Sequence, residues 1–511
     1  IYTVRKATQG LANFIIKENA QSKGVAIAFD SRHMSPEFAK ETALCMAANG
    51  IKAYIFPSLR PTPMLSFALR ELGCTAGVVV TASHNPPQYN GYKVYWEDGA
   101  QITAPKDKQI ITEVQAITDF AQVKTMSEED AKAAGLYEVI GEEIDDKYME
   151  ALKKLVLRPE AIKEQADKLK IVYTPLHGTG NIPVRRVLKE LGFNNVYVVK
   201  EQELPDGDFP TVSYPNPEDK NAFTLALKLA AEVDADIVLA TDPDADRLGI
   251  YAKNEKTGEY ESFTGNMSGM LILEYLLSQR KELGMLPEDG AVVTTIVSGK
   301  MARAMAKEYN VALIETLTGF KYIGEQIKFF EQNHDHEFLF GYEESYGCLE
   351  GTHARDKDAV VAVMALCEAA AYYKSKGITL CEQMEKLYQK YGFYKESLFF
   401  QTFPGAEGKA KIDGLMDALR NQPPKQVGPF KVTALEDYKK SVRTDIATGE
   451  TSALTLPESN VLYFELEDGA WFCVRPSGTE PKIKYYAGVK GTDAQDAADK
   501  LEALSKAVVE L

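Results

Sequence analysis

The sequence predicts an α/β protein of several domains: three similar α/β domains in series, followed by a smaller α+β domain. Three observations carry that prediction. Short apolar runs of strand length alternate with segments of helical period over most of the chain. The alternation comes in three sets of comparable length, and 511 residues are too many for one core. After about Tyr391 it gives way to strand-like segments that run together.

In the first set, residues 24–30, 51–56 and 76–82 read as buried strands because each is nearly continuous apolar sequence, with helices at 36–49 and 64–72 between them. The second set has strands at 169–176, 195–199 and 235–242 and helices near 183–191 and 219–232. The third has strands at 291–297, 311–317 and 337–343. Strand, helix, strand of this kind implies parallel pairing through right-handed crossovers. The last region carries strand-like segments at 459–473 and 481–489 and helices around 406–421 and 493–511. The charged stretch 153–168 and the segment 256–265 are candidate linkers, and a helical hairpin over 358–392 leads into the last region. Domains are therefore expected at 1–160, 161–260, 261–390 and 391–511. No sequence repeat is visible among them.

Hydrophobic content of 45% and charged content of 26% fit an ordinary globular protein. No apolar run approaches the roughly 20 residues that cross a bilayer. The six cysteines are scattered without a CxxC pair, which favours reduced core thiols and a cytoplasmic location over zinc. A net charge of −16 disfavours nucleic acid and anionic membrane as partners. Phosphate can still bind where cations and backbone N–H groups are gathered locally. The start at Ile1 is neither a signal peptide nor an initiating methionine, so native sequence is expected to precede it.

Four segments carry chemistry. Thr81-Ala82-Ser83-His84-Asn85-Pro86 follows a buried strand, and a serine on such a strand-end loop is placed to act as a nucleophile or phosphate carrier. Gly91-Tyr92-Lys93 returns a cation close by, and His84 is expected to orient the serine or its phosphate. Asp242-Pro243-Asp244-Ala245-Asp246-Arg247 also ends a strand; three alternate carboxylates repel unless a cation sits among them, and hard oxygen ligands suit Mg²⁺. A calcium loop starting at Asp242 fails, because Arg247 and Lys253 occupy the positions that need Gly and Glu. Gly341-Tyr342-Glu343-Glu344-Ser345 offers acceptors and a hydroxyl suited to a sugar, and Thr318-Gly319 could reach the same site. Arg475-Pro476-Ser477-Gly478-Thr479-Glu480-Pro481, flanked by Lys482 and Lys484, has the composition of an anion nest.

Two glycine patterns are excluded. In His177-Gly178-Thr179-Gly180 the third glycine of a dinucleotide fingerprint falls on Pro183, and Ser298-Gly299-Lys300 has Thr294 where a phosphate-loop ATPase needs glycine. The first loop is expected to serve packing near a helix starting at Pro183. His334-Asp335-His336 reads as a surface loop.

Taken in order, T-A-S-H-N-P with G-Y-K, D-P-D-A-D-R, G-Y-E-E-S and R-P-S-G-T-E-P resemble the motifs of the α-D-phosphohexomutase superfamily over essentially the whole chain. T-L-T-G-F-K and R-D-K-D resemble its bacterial phosphoglucomutases related to animal phosphopentomutase. The resemblance implies three mixed-sheet α/β domains and a fourth α+β domain around a central cleft. It implies that Ser83 is the phosphoserine and that its oxygen coordinates one Mg²⁺ with Asp242, Asp244 and Asp246. It makes Arg32 and Lys93 cations beside the moving phosphoryl group, with Arg247 a further candidate. Glu343 and Ser345 become sugar readers, while Arg475, Ser477, Gly478 and Thr479 hold the phosphate that is not reacting. Lys357, in Arg355-Asp356-Lys357-Asp358, or His353 is a candidate for proton transfer and Lys357 for substrate binding. Two departures stand out: no F-G-T-x-G-x-R-type segment precedes Ile1, and the sugar loop has Tyr342 where many relatives run Gly-Glu directly and Tyr346 where others have a small residue.

The implied activity is interconversion of glucose 1-phosphate and glucose 6-phosphate through a phosphoserine and a hexose 1,6-bisphosphate, by a monomer or weak dimer. Phosphopentomutase and phosphomannomutase activities are the near alternatives. A DxD phosphatase with Asp242 as nucleophile, and a non-catalytic sugar-phosphate binder, are the distant ones.

Overall fold

The structure, a computed structural model, describes residues 1–404, 407–477 and 481–511. It divides into two compact units: Ile1–Thr294, Tyr309–Ile314 and Gly319–Gln383 form the first, and Thr295–Glu308, Glu315–Thr318 and Met384–Leu511 the second.

Three sheets follow one another along the chain. The first contains β1 (Val25–Phe29), β2 (Ala53–Ile55), β3 (Ala76–Val80), β4 (Tyr92–Trp96) and β5 (Tyr137–Val139), in the order β4-β3-β1-β2-β5. The second contains β6 (Ile171–Thr174), β7 (Val196–Val198), β8 (Ile237–Thr241), β9 (Leu248–Lys253) and β10 (Tyr260–Phe263), in the order β10-β9-β8-β6-β7. The third contains β11 (Gly290–Thr295), β12 (Ala312–Thr316), β13 (Glu337–Tyr342) and β14 (Cys348–Glu350), in the order β12-β11-β13-β14.

One arrangement recurs in all three. The pairs β1–β3, β6–β8 and β11–β13 are parallel, and β4, β9 and β14 turn back antiparallel on β3, β8 and β13. Strand order is thus 4-3-1-2, then 9-8-6-7, then 14-13-11-12. Terminal pairs Val80↔Tyr92, Thr241↔Leu248 and Tyr342↔Cys348 close the three hairpins around residues 81–91, 242–247 and 343–347. Those loops hold the serine, the acidic triplet and the sugar motif. β1, β3, β6, β8 and β11 are buried along their whole length, which is why they read as continuous apolar runs.

Several elements differ from expectation. The first residues form a helix, Tyr2–Lys17, that seals the first sheet with Leu11, Phe14 and Ile15. Both candidate linkers contain regular structure: the helix Pro159–Gln165 lies in one, and β10 in the other adds a strand to the second sheet. The helix near Pro183 begins earlier, at Asn181. The helix Ala359–Ser375 is buried on nearly every side, so its apolar residues show no amphipathic stripe.

In the second unit, β15 (Phe393–Thr402), β16 (Gln426–Val427), β17 (Phe430–Asp437), β18 (Val442–Asp445), β19 (Thr451–Ala453), β20 (Leu462–Leu466), β21 (Trp471–Pro476) and β22 (Lys482–Gly491) pair antiparallel. The strand-like run 459–473 is two strands, because Asp468 takes a left-handed φ of 58° in the turn between β20 and β21. Helices Gly408–Asn421 and Ala494–Val509 pack Ile412, Met416, Leu504 and Val508 onto one face of this sheet.

Candidate active site

Ser83 leaves β3 in a left-handed conformation, φ 51°, which few non-glycine residues adopt. The loop around it is closely fixed. The Thr81 hydroxyl oxygen accepts the Ser83 N–H at 2.9 Å. Gly91 passes so near that a Cβ there would lie 2.2 Å from the Thr81 carbonyl oxygen, so only glycine permits the return into β4.

Arg32 follows β1, and its side chain is completely buried. Its Nη1 donates to the carbonyls of Pro86 (2.8 Å) and Tyr89 (3.1 Å), and its Nη2 to those of Ser83 (2.6 Å) and Asn85. Asp30 lies 3.3 Å from Nε, and the Phe209 ring stacks at 5.0 Å. The structure therefore places this guanidinium on the backbone of the serine loop.

The Ser83 hydroxyl donates to Asp242 Oδ2 at 2.8 Å and lies 3.3 Å from His84 Nδ1. His84 also meets the Tyr214 ring edge-on at 5.7 Å. Asp242, Asp244 and Asp246 are buried, with one oxygen from each within 4.8 Å of the others. Asp242 Oδ1 accepts the N–H groups of Asp246 and Arg247, both at 3.1 Å. Lys93 Nζ donates to Asp244 Oδ2 at 2.9 Å and lies 3.8 Å from Asp246, and Lys357 Nζ is 3.1 Å from Asp246 Oδ2. Asp244 Oδ1 and Asp246 Oδ1 remain buried without a hydrogen-bond partner. Such oxygens, in an all-carboxylate set, fit a hard divalent cation.

Electrostatics within the cluster is uneven. Burial, then Asp244 and Asp246, push the Asp242 carboxyl well above its ordinary range. Burial acts the same way on Asp244, but Lys93 together with hydrogen bonds from Asp242 and Thr62 holds that carboxyl below the ordinary range. Burial opposes the charge of Lys357, yet Asp246, Asp356 and Glu343 raise its pKa, so it stays protonated. Arg247 Nη1 donates to Glu218 at 2.8 Å, and its Nε is 3.8 Å from Asp246.

Four backbone ties hold the acidic loop. Thr62 N donates to Asp244 O at 3.0 Å, Thr179 N to Pro243 O at 2.8 Å, Ala359 N to Ala245 O at 3.1 Å and Leu248 N to Tyr346 O at 2.9 Å. The Thr179 tie uses the Gly178 loop, where a Cβ would come within 2.4 Å of Pro243 Cα. The loop expected to serve domain packing near the helix at Pro183 thus packs against the acidic loop itself.

Glu343 accepts the Gly319 N–H at 2.8 Å. Burial and then Glu344 push its carboxyl up to about 7, against Lys357 and Arg247. Ser345 lies half-buried in the same turn. His353 is held elsewhere: its Nε2 is 2.7 Å from Asp358, whose carboxylate accepts from Tyr148 and caps the helix Ala359–Ser375. Thr318 belongs to the second unit and is half-buried. In that unit Arg475 pairs in register with Lys484, and Ser477 N donates to Lys482 O at 2.8 Å. Gly478 and Thr479 lie outside the described residues.

Sequence reasoning missed Thr62, Glu218, Tyr95 and Asp356. Tyr95 donates to Asp356 Oδ2 at 2.6 Å, and Asp356 Oδ1 accepts from Lys357 at 3.0 Å. Only the R-D-K-D motif signalled any of this group. All six cysteines are buried free thiols, and no helix among the described residues is long and apolar enough to cross a membrane.

Four family models match the chain in order. They are phosphoglucomutase/phosphomannomutase alpha/beta/alpha domain I over residues 1–120, domain II over 146–257, domain III over 264–391 and the C-terminal domain over 422–504. A phosphoglucomutase of Staphylococcus epidermidis is 39% identical over 490 residues, 96% of this chain and 87% of that protein. One of Staphylococcus aureus is 37% identical over 506 residues, 98% of this chain and 88% of that protein. Among solved structures, a putative phosphomannomutase from Thermus thermophilus matches with a TM-score of 0.71 at 20% identity, covering 100% of this chain and 94% of that one. The Paramecium phosphoprotein pp63/parafusin, a phosphoglucomutase, matches at 0.69 and 18%, covering 99% and 90%. At these identities the two structures establish the fold.

Proposed function

Because the chain belongs to the phosphoglucomutase/phosphomannomutase family, we propose that it interconverts glucose 1-phosphate and glucose 6-phosphate with Ser83 as phosphate carrier. It is a phosphohexomutase, an isomerase that moves phosphate between two oxygens of one sugar. The single observation that supports the carrier role is the Ser83 hydroxyl, 2.8 Å from Asp242 at the edge of the acidic triplet.

In this reading Ser83 starts phosphorylated. A sugar hydroxyl attacks the phosphorus, its bond to phosphorus forms as the Ser83 Oγ–P bond breaks, and the proton the sugar oxygen gives up ends on the released Ser83 Oγ. The resulting hexose 1,6-bisphosphate turns end for end, Ser83 Oγ attacks the other phosphorus as that sugar O–P bond breaks, and the serine proton ends on the freed sugar oxygen. Phosphoryl transfer asks the protein for in-line positioning and charge stabilisation. Lys93 is the cation nearest the acids from the serine side, and Arg247 and Lys357 bring further positive charge. Protonated Lys357 suits a charge-stabilising and substrate-binding role. Arg32 acts through the loop it clasps, and His84 orients the serine. Asp242, Asp244 and Asp246, with the Ser83 oxygen, would hold one Mg²⁺, whose contribution when bound is to neutralise the phosphoryl oxygens. Glu343, Ser345, Thr318 and Gly319 are the proposed sugar readers. In the second unit, Arg475, Ser477, Gly478 and Thr479 are the proposed holders of the non-reacting phosphate. The buried free thiols support a reducing, cytoplasmic setting.

The test supplies glucose 1-phosphate, mannose 1-phosphate and ribose 1-phosphate in turn, with glucose 1,6-bisphosphate as primer. Glucose 1-phosphate is expected to turn over fastest, with phosphate recovered on Ser83. Release of inorganic phosphate in place of isomerised sugar would overturn the proposal.

A further inference from the structure

We infer that Thr62 is a positioning residue that selects which oxygen of Asp244 faces the cation site. The inference rests on the reading of the acidic triplet as a metal centre.

Thr62 opens the helix Thr62–Glu71 and is fully buried. The first N–H groups of a helix have no partner within it. Here the Thr62 N–H reaches across 182 positions of sequence to the Asp244 carbonyl, at 3.0 Å. The Thr62 hydroxyl then donates to Asp244 Oδ2 at 2.8 Å. One residue therefore fixes both the backbone and the side chain of the central acid. Lys93 Nζ occupies the same Oδ2 at 2.9 Å, so that oxygen is committed twice. Oδ1 is left buried and without a hydrogen-bond partner, as is Oδ1 of Asp246.

Lys93 alone does not determine this choice. An ammonium is a rotating point charge that either carboxylate oxygen can satisfy. A threonine hydroxyl on a β-branched side chain has few rotamers, and its donation is directional. Without it the Asp244 carboxylate can turn about its last bond and offer Lys93 either oxygen. Partners of this kind, one bond removed from a metal, typically change its affinity by 10- to 100-fold.

The experiment titrates Mn²⁺ into the full-length protein by calorimetry, comparing wild type, Thr62→Val and Thr62→Ser. Valine keeps the shape and the backbone N–H but removes the donor. Thr62→Val is expected to bind about tenfold more weakly and Thr62→Ser to restore wild-type affinity, with both variants folded in chelator by circular dichroism. At subsaturating metal, Thr62→Val should lose kcat while KM for sugar phosphate holds. Equal Mn²⁺ affinity in Thr62→Val and wild type would overturn the inference, as would equal losses in the valine and serine variants. A wild-type protein that binds no Mn²⁺ would instead overturn the metal-centre reading itself.

Discussion

The Ser83 hydroxyl donates to Asp242 Oδ2 at 2.8 Å, so two groups 159 positions apart in sequence share one hydrogen bond at the heart of the site. Ser83→Ala keeps the loop but removes the acceptor of phosphate. It should lower mutase turnover by about 10³-fold or more and leave no phosphopeptide spanning position 83. Wild-type rates in that variant would refute the carrier role.

Arg32 binds four carbonyls of the serine loop and leaves no part of its side chain exposed. Arg32→Gln strands Asp30 in a buried position, which should cost about 3 kcal/mol of stability. It should also raise amide hydrogen exchange across residues 83–91. Unchanged exchange there would show that the guanidinium does not hold the loop.

A cation entering the triplet must displace whatever proton Asp242 retains, because its carboxyl is pushed above the ordinary range by burial and then by Asp244 and Asp246. Affinity for Mg²⁺ should therefore be tighter at about pH 8 than at about pH 6. At 100 times Kd, Mg²⁺ should stabilise the fold by about 2.7 kcal/mol, and Asp244→Asn should lose most of that gain. A thermal shift independent of Mg²⁺ would place the metal elsewhere.

Glu343 titrates near pH 7 because burial raises it above the unfolded carboxyl. The sign follows from the proton count: the folded state holds the proton more tightly. The group's contribution is fully present below about pH 4.3 and fades as pH rises through about 7, at about 1.4 kcal/mol per pKa unit. Glu343→Gln has no such charge to bury. Its stability relative to wild type should improve from pH 5 to about pH 8, as read by denaturant midpoints at each pH. Parallel pH profiles for the two proteins would rule this out.

Gly178 leaves room for Pro243 in the acidic loop. Gly178→Ala forces the two backbones apart and should cost about 1–3 kcal/mol while weakening Mg²⁺ binding. A variant with wild-type metal affinity would mean the two loops move independently.

The strands that carry the site loops were legible because each is a buried apolar run ending in residues no strand requires, Ser83 after β3 and the three aspartates after β8. The return strands were harder. Tyr92–Trp96 mixes polar and aromatic residues and is only partly buried, so it shows neither a run nor a clean alternation. The helix Tyr2–Lys17 escaped because no motif or strand anchored it. Arg32 was named through the family resemblance, as a cation beside the phosphoryl group, whereas its placement depends on carbonyls some fifty positions away, and backbone acceptors leave no mark in sequence. Thr62 was invisible because both its bonds go to Asp244, 182 positions away, and Asp356 stood in a signalled motif whose partner Tyr95 lies 261 positions away. Glu343 and Ser345 could be named as acceptors and donors, but the burial that shifts Glu343 is tertiary.

The thrice-used strand order has a consequence for how such a chain can change. One hairpin turn holds Ser83, the proposed phosphate carrier, the next assembles three carboxylates, and the third holds Glu343 and Ser345, the proposed sugar readers. Each turn hangs from its own sheet, so the sugar-facing turn can be rewritten without altering the strands beneath the other two. On the proposed roles, new substrate preferences in this architecture arise by exchanging residues 343–347, while the transfer chemistry is inherited intact.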